Sequence, residues 1–169
     1  MSLMMQELFE APAVVKNAIA NCTPVAKEIA DLCKTRQIKR VILAGRGSSL
    51  HAGIAFKFFL ESQTQYVLSF EYPSMVTSFN AVRDLTDSLY IVVSQSGAGP
   101  DTALFAKTAK SQGALVVGCT NYENSLLSSI CHFTLPISAG EEKAVAATKT
   151  LTGEIVALQV LADALCGKE

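Results

Sequence analysis

Apolar residues in this chain fall into short, dense runs separated by stretches of helical period. Val41-Ile42-Leu43-Ala44 ends at Gly45, and Leu89-Tyr90-Ile91-Val92-Val93 ends at Ser94. Tyr66 to Phe70, Leu115 to Cys119 and Phe133 to Pro136 are three further runs. Runs this short, rich in β-branched residues and bounded by Gly, Ser or Pro, predict strands buried on both faces. Between them the period lengthens towards 3.6. A helix is expected from the Gly45–Ser49 turn to about Ser62, with Ile54, Phe58 and Phe59 on one face; a second over Thr102–Gln112, stopping at Gly113; and a short one over Ser125–Ile130. Ahead of the first strand, Gln6 to Lys34 is periodic but interrupted at Pro12 and Pro24, which predicts two helices with a proline in the first turn of each. Ala144 to Leu165 predicts a long final helix closing at Gly167. Its Leu151, Ile155, Leu158 and Leu161 form one apolar face, and Val156, Val160 and Leu165 form a second.

Strands alternating with helices imply an α/β fold, a five-stranded parallel sheet in a three-layer αβα sandwich. Ligands in such folds sit beyond the carboxyl ends of the strands, where the strand order switches. The Gly45–Ser49 and Ser94–Thr102 loops are both expected there. The second is the more informative. Ser94-Gln95-Ser96-Gly97 leaves a strand, and Pro100 suits the first turn of a helix, where a missing N–H costs nothing. Hydroxyls and free N–H groups at a helix N-terminus favour an anion, most simply a phosphate. Lys and Arg are absent between Ser94 and Ala106, so neutral donors are expected to hold it.

With 169 residues, one domain spanning 1–169 is expected, with residues 1–4 read as vector-derived and set aside. Half of the residues are hydrophobic, yet no apolar run is long enough to span a bilayer, so the surplus is expected to meet a second subunit or domain, most simply in a homodimer. A net charge of −1 without a basic cluster argues against nucleic acid. The five cysteines are scattered and form no Cys-x-x-Cys, the usage of a reducing cytoplasm, and the two histidines have no metal-ligand spacing. Neither a metal nor a cofactor is expected. A dinucleotide fingerprint starting at Gly45-x-Gly47 fails at its third glycine position, Leu50. A hydrolase nucleophile elbow around Ser96 fails because its flanking glycine positions hold Ser94 and Ala98.

Several segments in register resemble the sugar isomerase (SIS) domain family, in particular the first of the two such domains in the isomerase half of glucosamine-6-phosphate synthase. Met5-Gln6-Glu7-Leu8-Phe9-Glu10-Ala11-Pro12 is similar to that half's Met-x-Glu-Ile-x-Glu-Gln-Pro start. Ser48-Ser49-Leu50-His51-Ala52-Gly53 resembles its Thr-Ser-Tyr-x-Ala-Gly. Ser94-Gln95-Ser96-Gly97 is identical to the family's phosphate loop, and Ala139-Gly140-Glu141-Glu142 with Val145-Ala146-Ala147-Thr148-Lys149 resembles Ala-Gly-x-Glu-x-x-Val-Ala-Ser-Thr-Lys.

The resemblance implies a flavodoxin-like SIS fold and a sugar phosphate ligand. Ser49, Ser94 and Ser96 would bond the phosphate, with Ser48 and Gly97 in the same loops and Gln95 and Val145 near the sugar. Gly99 and Ala147 complete the expected ligand-binding set, although the pattern departs at Gly99, where the family has threonine, at Ala147, where it has serine, and at Ala98, where it has glutamate. The resemblance also implies a phosphosugar isomerase, or an amino-sugar-phosphate isomerase, aminotransferase or deaminase, whose base glutamate and carbonyl-engaging lysine come from a second SIS domain. A phosphosugar sensor without chemistry is the other reading. Within this chain Glu142 is the acid that matches the motif: either a general base, or a glutamate favouring the N-terminus of the last helix. Ser48, Ser49, Ser94 and Ser96 likewise have a plain reading as turn and cap residues. Lys149 is read as a solvated helix lysine, with reach to a ligand anion as the other reading, His51 as structural or at a subunit contact, and Asn121 and Tyr122 as candidate pocket walls.

Overall fold

The computed structural model describes residues 1–168, with the backbone alone at 73 and 74. The elements run α1 (Leu3–Phe9), α2 (Ala11–Thr35), β1 (Arg40–Ala44), α3 (Ser48–Gln63), β2 (Val67–Glu71), α4 (Pro73–Thr77), β3 (Ser88–Val93), α5 (Pro100–Ser111), β4 (Leu115–Thr120), α6 (Leu126–Ile130), β5 (Phe133–Pro136) and α7 (Lys149–Cys166). The strands form one sheet in the order β2-β1-β3-β4-β5, and every neighbouring pair is parallel. This is the expected three-layer sandwich, with flavodoxin-like strand order.

The two faces of the sheet carry separate cores, set by alternation along each strand. Val41 and Leu43 of β1, Leu89, Ile91 and Val93 of β3, and Leu115, Val117 and Cys119 of β4 pack with α2, α3 and α7. Ile42, Ala44, Tyr90, Val92 and Val116 point the other way, against Phe105, Ala106 and Ala109 of α5 and Leu127 of α6. Burial on both sides is why these strands read as unbroken apolar runs.

Three expectations at the helices need correction. Pro24 does not begin a helix; it lies inside α2, which is continuous over 25 residues. A proline in a helix interior costs about 3 kcal/mol. Here the affected face is solvent-exposed at Ala20, and the Thr23 hydroxyl donates to the Ile19 carbonyl at 2.6 Å. The buried stripe Ala18, Cys22, Ala26, Ile29, Cys33 runs through the proline without a break. Burial of a large side chain such as Ile29 recovers about 1.5–3 kcal/mol on its own, so packing wins over propensity.

The last helix begins at Lys149 rather than Ala144. Its core-facing stripe is Thr150, Gly153, Glu154, Ala157, Leu158 and Leu161, while Leu151 and Ile155 are only partly buried. Close packing selects these small residues: a Cβ on Gly153 would sit 2.4 Å from Ile137 Cγ2 and 2.8 Å from the Ile137 carbonyl oxygen. Val160 and Leu165 are partly buried against this chain's own core, and Val156 beside them is half-buried. Exposed apolar side chains include Leu8 and Phe9 at the N-terminus and Phe58 on α3. Helix α4, which the sequence pattern does not suggest, follows β2 directly.

Candidate functional site

Strands β1 and β3 are neighbours in the sheet but not in the sequence, so the order switches between them. Ala44 pairs with Val92, and the two strands therefore release their loops at the same edge. After β1 the chain turns through Gly45-Arg46-Gly47 into α3. Gly47 has φ of 51°, in the left-handed region that favours glycine. After β3 it passes through Ser94 to Gly99 into α5, with Gly99 as N-cap and Pro100 in the first turn.

The Ser94–Gly99 loop is tied to β4 and α6 by backbone bonds. Ser94 N–H donates to the Cys119 carbonyl (3.0 Å), Asn121 N–H to that of Gln95 (3.0 Å), and Leu127 N–H to that of Gly97 (2.9 Å). Gly97 has φ of 59°, and a Cβ there would lie 2.4 Å from Ser125 Oγ. The Ser94 and Ser96 hydroxyl oxygens accept from Gly97 N–H and Ala98 N–H, both at 3.3 Å, leaving each hydroxyl hydrogen to point elsewhere. Ala103 is the first N–H to close onto α5, donating to Gly99 at 3.1 Å. The N–H groups of Asp101 and Thr102 precede it, at the helix end that lacks intrahelical acceptors.

Between the two loops lies a cleft of about 210 Å³, lined by Ser49, Ser94, Gln95, Ser96 and Gly99 together with Arg46, Val93, Asp101 and Thr102. The first five were expected. Gly97 supports the loop from behind, and Ser48 is exposed at the start of α3. Val145 and Ala147 do not line the cleft, and Val145 projects fully into solvent. Arg46 was missed. It forms an ion pair with Asp101, joining the two loops across the cleft. Its signal in the sequence is a cation between the two glycines of the loop that supplies Ser49, outside the Ser94–Ala106 segment.

Ser49 is buried, and its hydroxyl donates to Glu154 Oε1 at 2.8 Å. Glu154 is 1% exposed, and its second oxygen is buried without a partner. Burial pushes this carboxyl up to about 7; the Ser49 hydrogen bond opposes that, and the charge on Glu142 adds to it. The signal for Glu154 was present as a lone acid on the Thr150–Ala157–Leu161 stripe of the last helix.

Glu142 is engaged as an N-terminal cap of α7, reached from the loop. Its Oε1 accepts from Thr148 N–H (2.9 Å), Thr148 Oγ1 (3.1 Å) and Thr150 N–H (3.2 Å), and its Oε2 from the Thr150 hydroxyl. Partial burial would raise its pKa, but these hydrogen bonds outweigh that and hold it below the usual carboxylate value. It does not line the cleft.

The motif residues at the N-terminus clamp the same segment. Glu7 accepts from Lys143 N–H (2.6 Å) and Ala144 N–H (3.1 Å). Lys149 is 3% exposed and donates to Glu10 at 2.6 Å, so it is an internal clamp and not a solvated lysine. Asn121 braces the segment through Ala139 N–H (2.8 Å), and His51 is exposed, with Nδ1 2.8 Å from the Gly47 carbonyl oxygen. Among the described residues, no group of three His, Cys, Asp or Glu side chains could hold a metal, and no helix is long and apolar enough to cross a membrane.

Residues 34–164 match the SIS domain family. The chain belongs to that family. It is 37% identical over 164 residues to a glutamine–fructose-6-phosphate aminotransferase (isomerizing) of Pyrococcus horikoshii, covering 96% of this chain and 27% of that protein. A second such aminotransferase, from Chlorobaculum tepidum, is 31% identical, again with 96% of this chain and 27% of the relative covered. This SIS domain thus spans about a quarter of the length of the curated relatives it matches. Among solved structures, a candidate phosphosugar isomerase from Silicibacter pomeroyi superposes with a TM-score of 0.94 at 29% identity, covering 100% of this chain and 52% of that one. The C-terminal domain of the glucosamine-fructose-6-phosphate aminotransferase of Francisella tularensis gives 0.86 at 26% identity, covering 98% and 47%.

Proposed function

We infer that this SIS domain binds a sugar phosphate, with the phosphate seated in the cleft between the Gly45–Ser49 and Ser94–Gly99 loops. The observation that carries the reading is the convergence of Ser49, Ser94, Ser96 and Arg46 at the N-terminus of α5, on the switch point of a parallel sheet. Gln95 at the same mouth is placed to bond the sugar. Gly99, where the family has threonine, removes one hydroxyl. A Cβ at Gly99 would meet Asp101 Oδ1 at 2.9 Å, so the glycine leaves room for Asp101 to hold Arg46 at the mouth. Arg46, held by Asp101 at the cleft mouth, has N–H donors beyond that pair to offer a phosphate in place of the missing hydroxyl.

Chemistry on the sugar is the larger step. Proton transfer beside a carbonyl needs a base within hydrogen-bond reach of the carbon acid. Glu142, committed to capping α7, is not suited to that task, and we assign it the capping role. We propose that the domain serves a phosphosugar isomerase, or an isomerase, aminotransferase or deaminase of amino-sugar phosphates, with the base supplied by a second SIS domain or a second copy of this chain. The exposed Leu8, Phe9 and Phe58 support such a partner. Anchoring alone holds ground state and transition state equally and accelerates nothing.

Calorimetric titration with fructose 6-phosphate, beside unphosphorylated fructose, tests the binding claim. Saturable binding of the phosphate ester alone is expected, weakening with added salt and on Arg46→Ala. Equal binding of both sugars would refute it.

A further inference from the structure

The proton on Ser49 is the least settled part of this cleft. Ser49 lies on its wall, yet the hydroxyl points away from the ligand space and into the protein, donating to Glu154. A serine has one hydroxyl hydrogen. While it is given to Glu154, only lone pairs remain for a phosphate, and lone pairs facing a phosphate oxygen repel. The deeper partner is unusual in its own right. Glu154 is buried in the second turn of α7, with Oε2 shielded from solvent and unpartnered. A buried carboxylate lacking a partner for one oxygen is costly, whereas a neutral carboxyl carries a proton on one oxygen and removes most of that cost.

Resting on the phosphate-site reading above, we propose that Glu154 is a positioning residue which gates the Ser49 donor, so that sugar phosphate binding is accompanied by uptake of one proton from solvent. In the empty site with Glu154 ionised, the Ser49 O–H donates to Glu154 Oε1. When a phosphate dianion enters, Glu154 takes a proton from solvent, and its new O–H donates to Ser49 Oγ. The Ser49 hydrogen then turns outward to the phosphate. One proton is gained by the complex and no bond to carbon or phosphorus changes.

The surroundings of Glu154 favour this exchange. From α3 it faces the Ser49 hydroxyl; from β4, the Cys119 thiol, which burial keeps neutral, with Cys22 of α2 behind it; and from the loop ahead of α7, the Glu142 carboxylate. The charged neighbour in that set, Glu142, has the same sign as Glu154. A phosphate beyond Ser49 adds more negative charge on the open side. Burial already brings Glu154 to about 7, so the dianion needs to move it only a little further to recruit a proton at neutral pH.

Calorimetry with fructose 6-phosphate at pH 8 tests the gate on the intact chain. At that pH the ligand is a dianion, because its second pKa is about 6. Titrations in buffers of differing ionisation enthalpy give the proton count as a slope. An uptake of about 0.5–1 proton is expected in the wild type, with affinity falling up to about tenfold per pH unit above 7. Glu154→Gln should bind at pH 8 with no proton uptake and with a flat pH profile. Ser49→Ala deletes the relay and keeps the carboxyl, so it should lose most of the uptake even if the Gln variant does not fold. Binding without proton uptake in the wild type, or uptake that persists in Glu154→Gln, overturns the gate while leaving the phosphate site standing. Absence of any sugar phosphate binding overturns both.

Discussion

Ser49 on α3 and Glu154 on α7 share a buried 2.8 Å hydrogen bond across 105 positions of sequence. It joins the wall of the cleft between the two loops to the core of the αβα sandwich. Its consequence for stability has a definite sign. Glu154 is raised from 4.5 to about 7 in the folded protein, so the native state binds more protons than the unfolded state between those values. Stability is therefore fullest below about pH 4.5 as far as this group is concerned, and declines as pH rises to about 7. A shift of that size corresponds to something on the order of 3 kcal/mol. Urea unfolding of wild type and Glu154→Gln across this window should show the difference growing with pH in favour of the variant, then levelling off. Glu142, held low, acts in the opposite sense at lower pH: its contribution is lost as pH falls through its lowered value. A constant difference between the two proteins would contradict the assignment.

Ser96→Ala separates binding from folding. The side chain is exposed and its hydroxyl accepts only a long bond from Ala98 N–H, so thermal stability should scarcely change. Loss of one donor to a charged partner costs about 1.5–3 kcal/mol, or roughly 10–150-fold in affinity for fructose 6-phosphate. Calorimetry on both proteins checks it, and unchanged affinity in a folded variant would remove this loop from the site.

Gly97→Ala should do the reverse and damage the fold at the loop itself. The new methyl would meet Ser125 Oγ at 2.4 Å and Thr120 Oγ1 at 2.8 Å, in a backbone region with positive φ. Strain and overpacking each cost about 1–3 kcal/mol. A fall in Tm of several degrees is expected, and a wild-type melting curve would show that the loop relaxes freely.

The Lys149–Glu10 pair offers an asymmetric test. Lys149 is 3% exposed, so Glu10→Ala strands an ammonium in the interior, while Lys149→Met replaces it with an apolar chain of similar length. Breaking a pair from one side is the more damaging change. Glu10→Ala should lower Tm more than Lys149→Met does; the opposite order would mean that the lysine is solvated after all.

The inner strands β1, β3 and β4 were legible because burial on both faces makes them continuous apolar runs, whereas the edge strands β2 and β5 are only partly buried; the two site loops followed from where the β1 and β3 runs stop. Helix boundaries were less legible wherever a distant contact decides them. Pro24 marked a local break that the buried stripe from Ala18 to Cys33 overrides. The start of α7 could not be placed from local pattern, because residues 143–148 are held out of the helix by Glu7 and Glu142. The same limit applied at the site. Ser94, Ser96 and Gly99 lie in one loop and could be read together. Arg46 and Glu154 reach the serines from other segments, and only the strand order and the α3–α7 packing bring them there.

Amide chemical-shift mapping by nuclear magnetic resonance, with fructose 6-phosphate titrated into isotopically labelled protein, tests the placement of the ligand most directly. The largest shifts are expected at Arg46–Ser49, Ser94–Gly99 and the Asp101 and Thr102 amides, in one saturable transition. Saturable shifts confined to any other surface, with these amides unmoved, would contradict a phosphate site at the β1–β3 switch point.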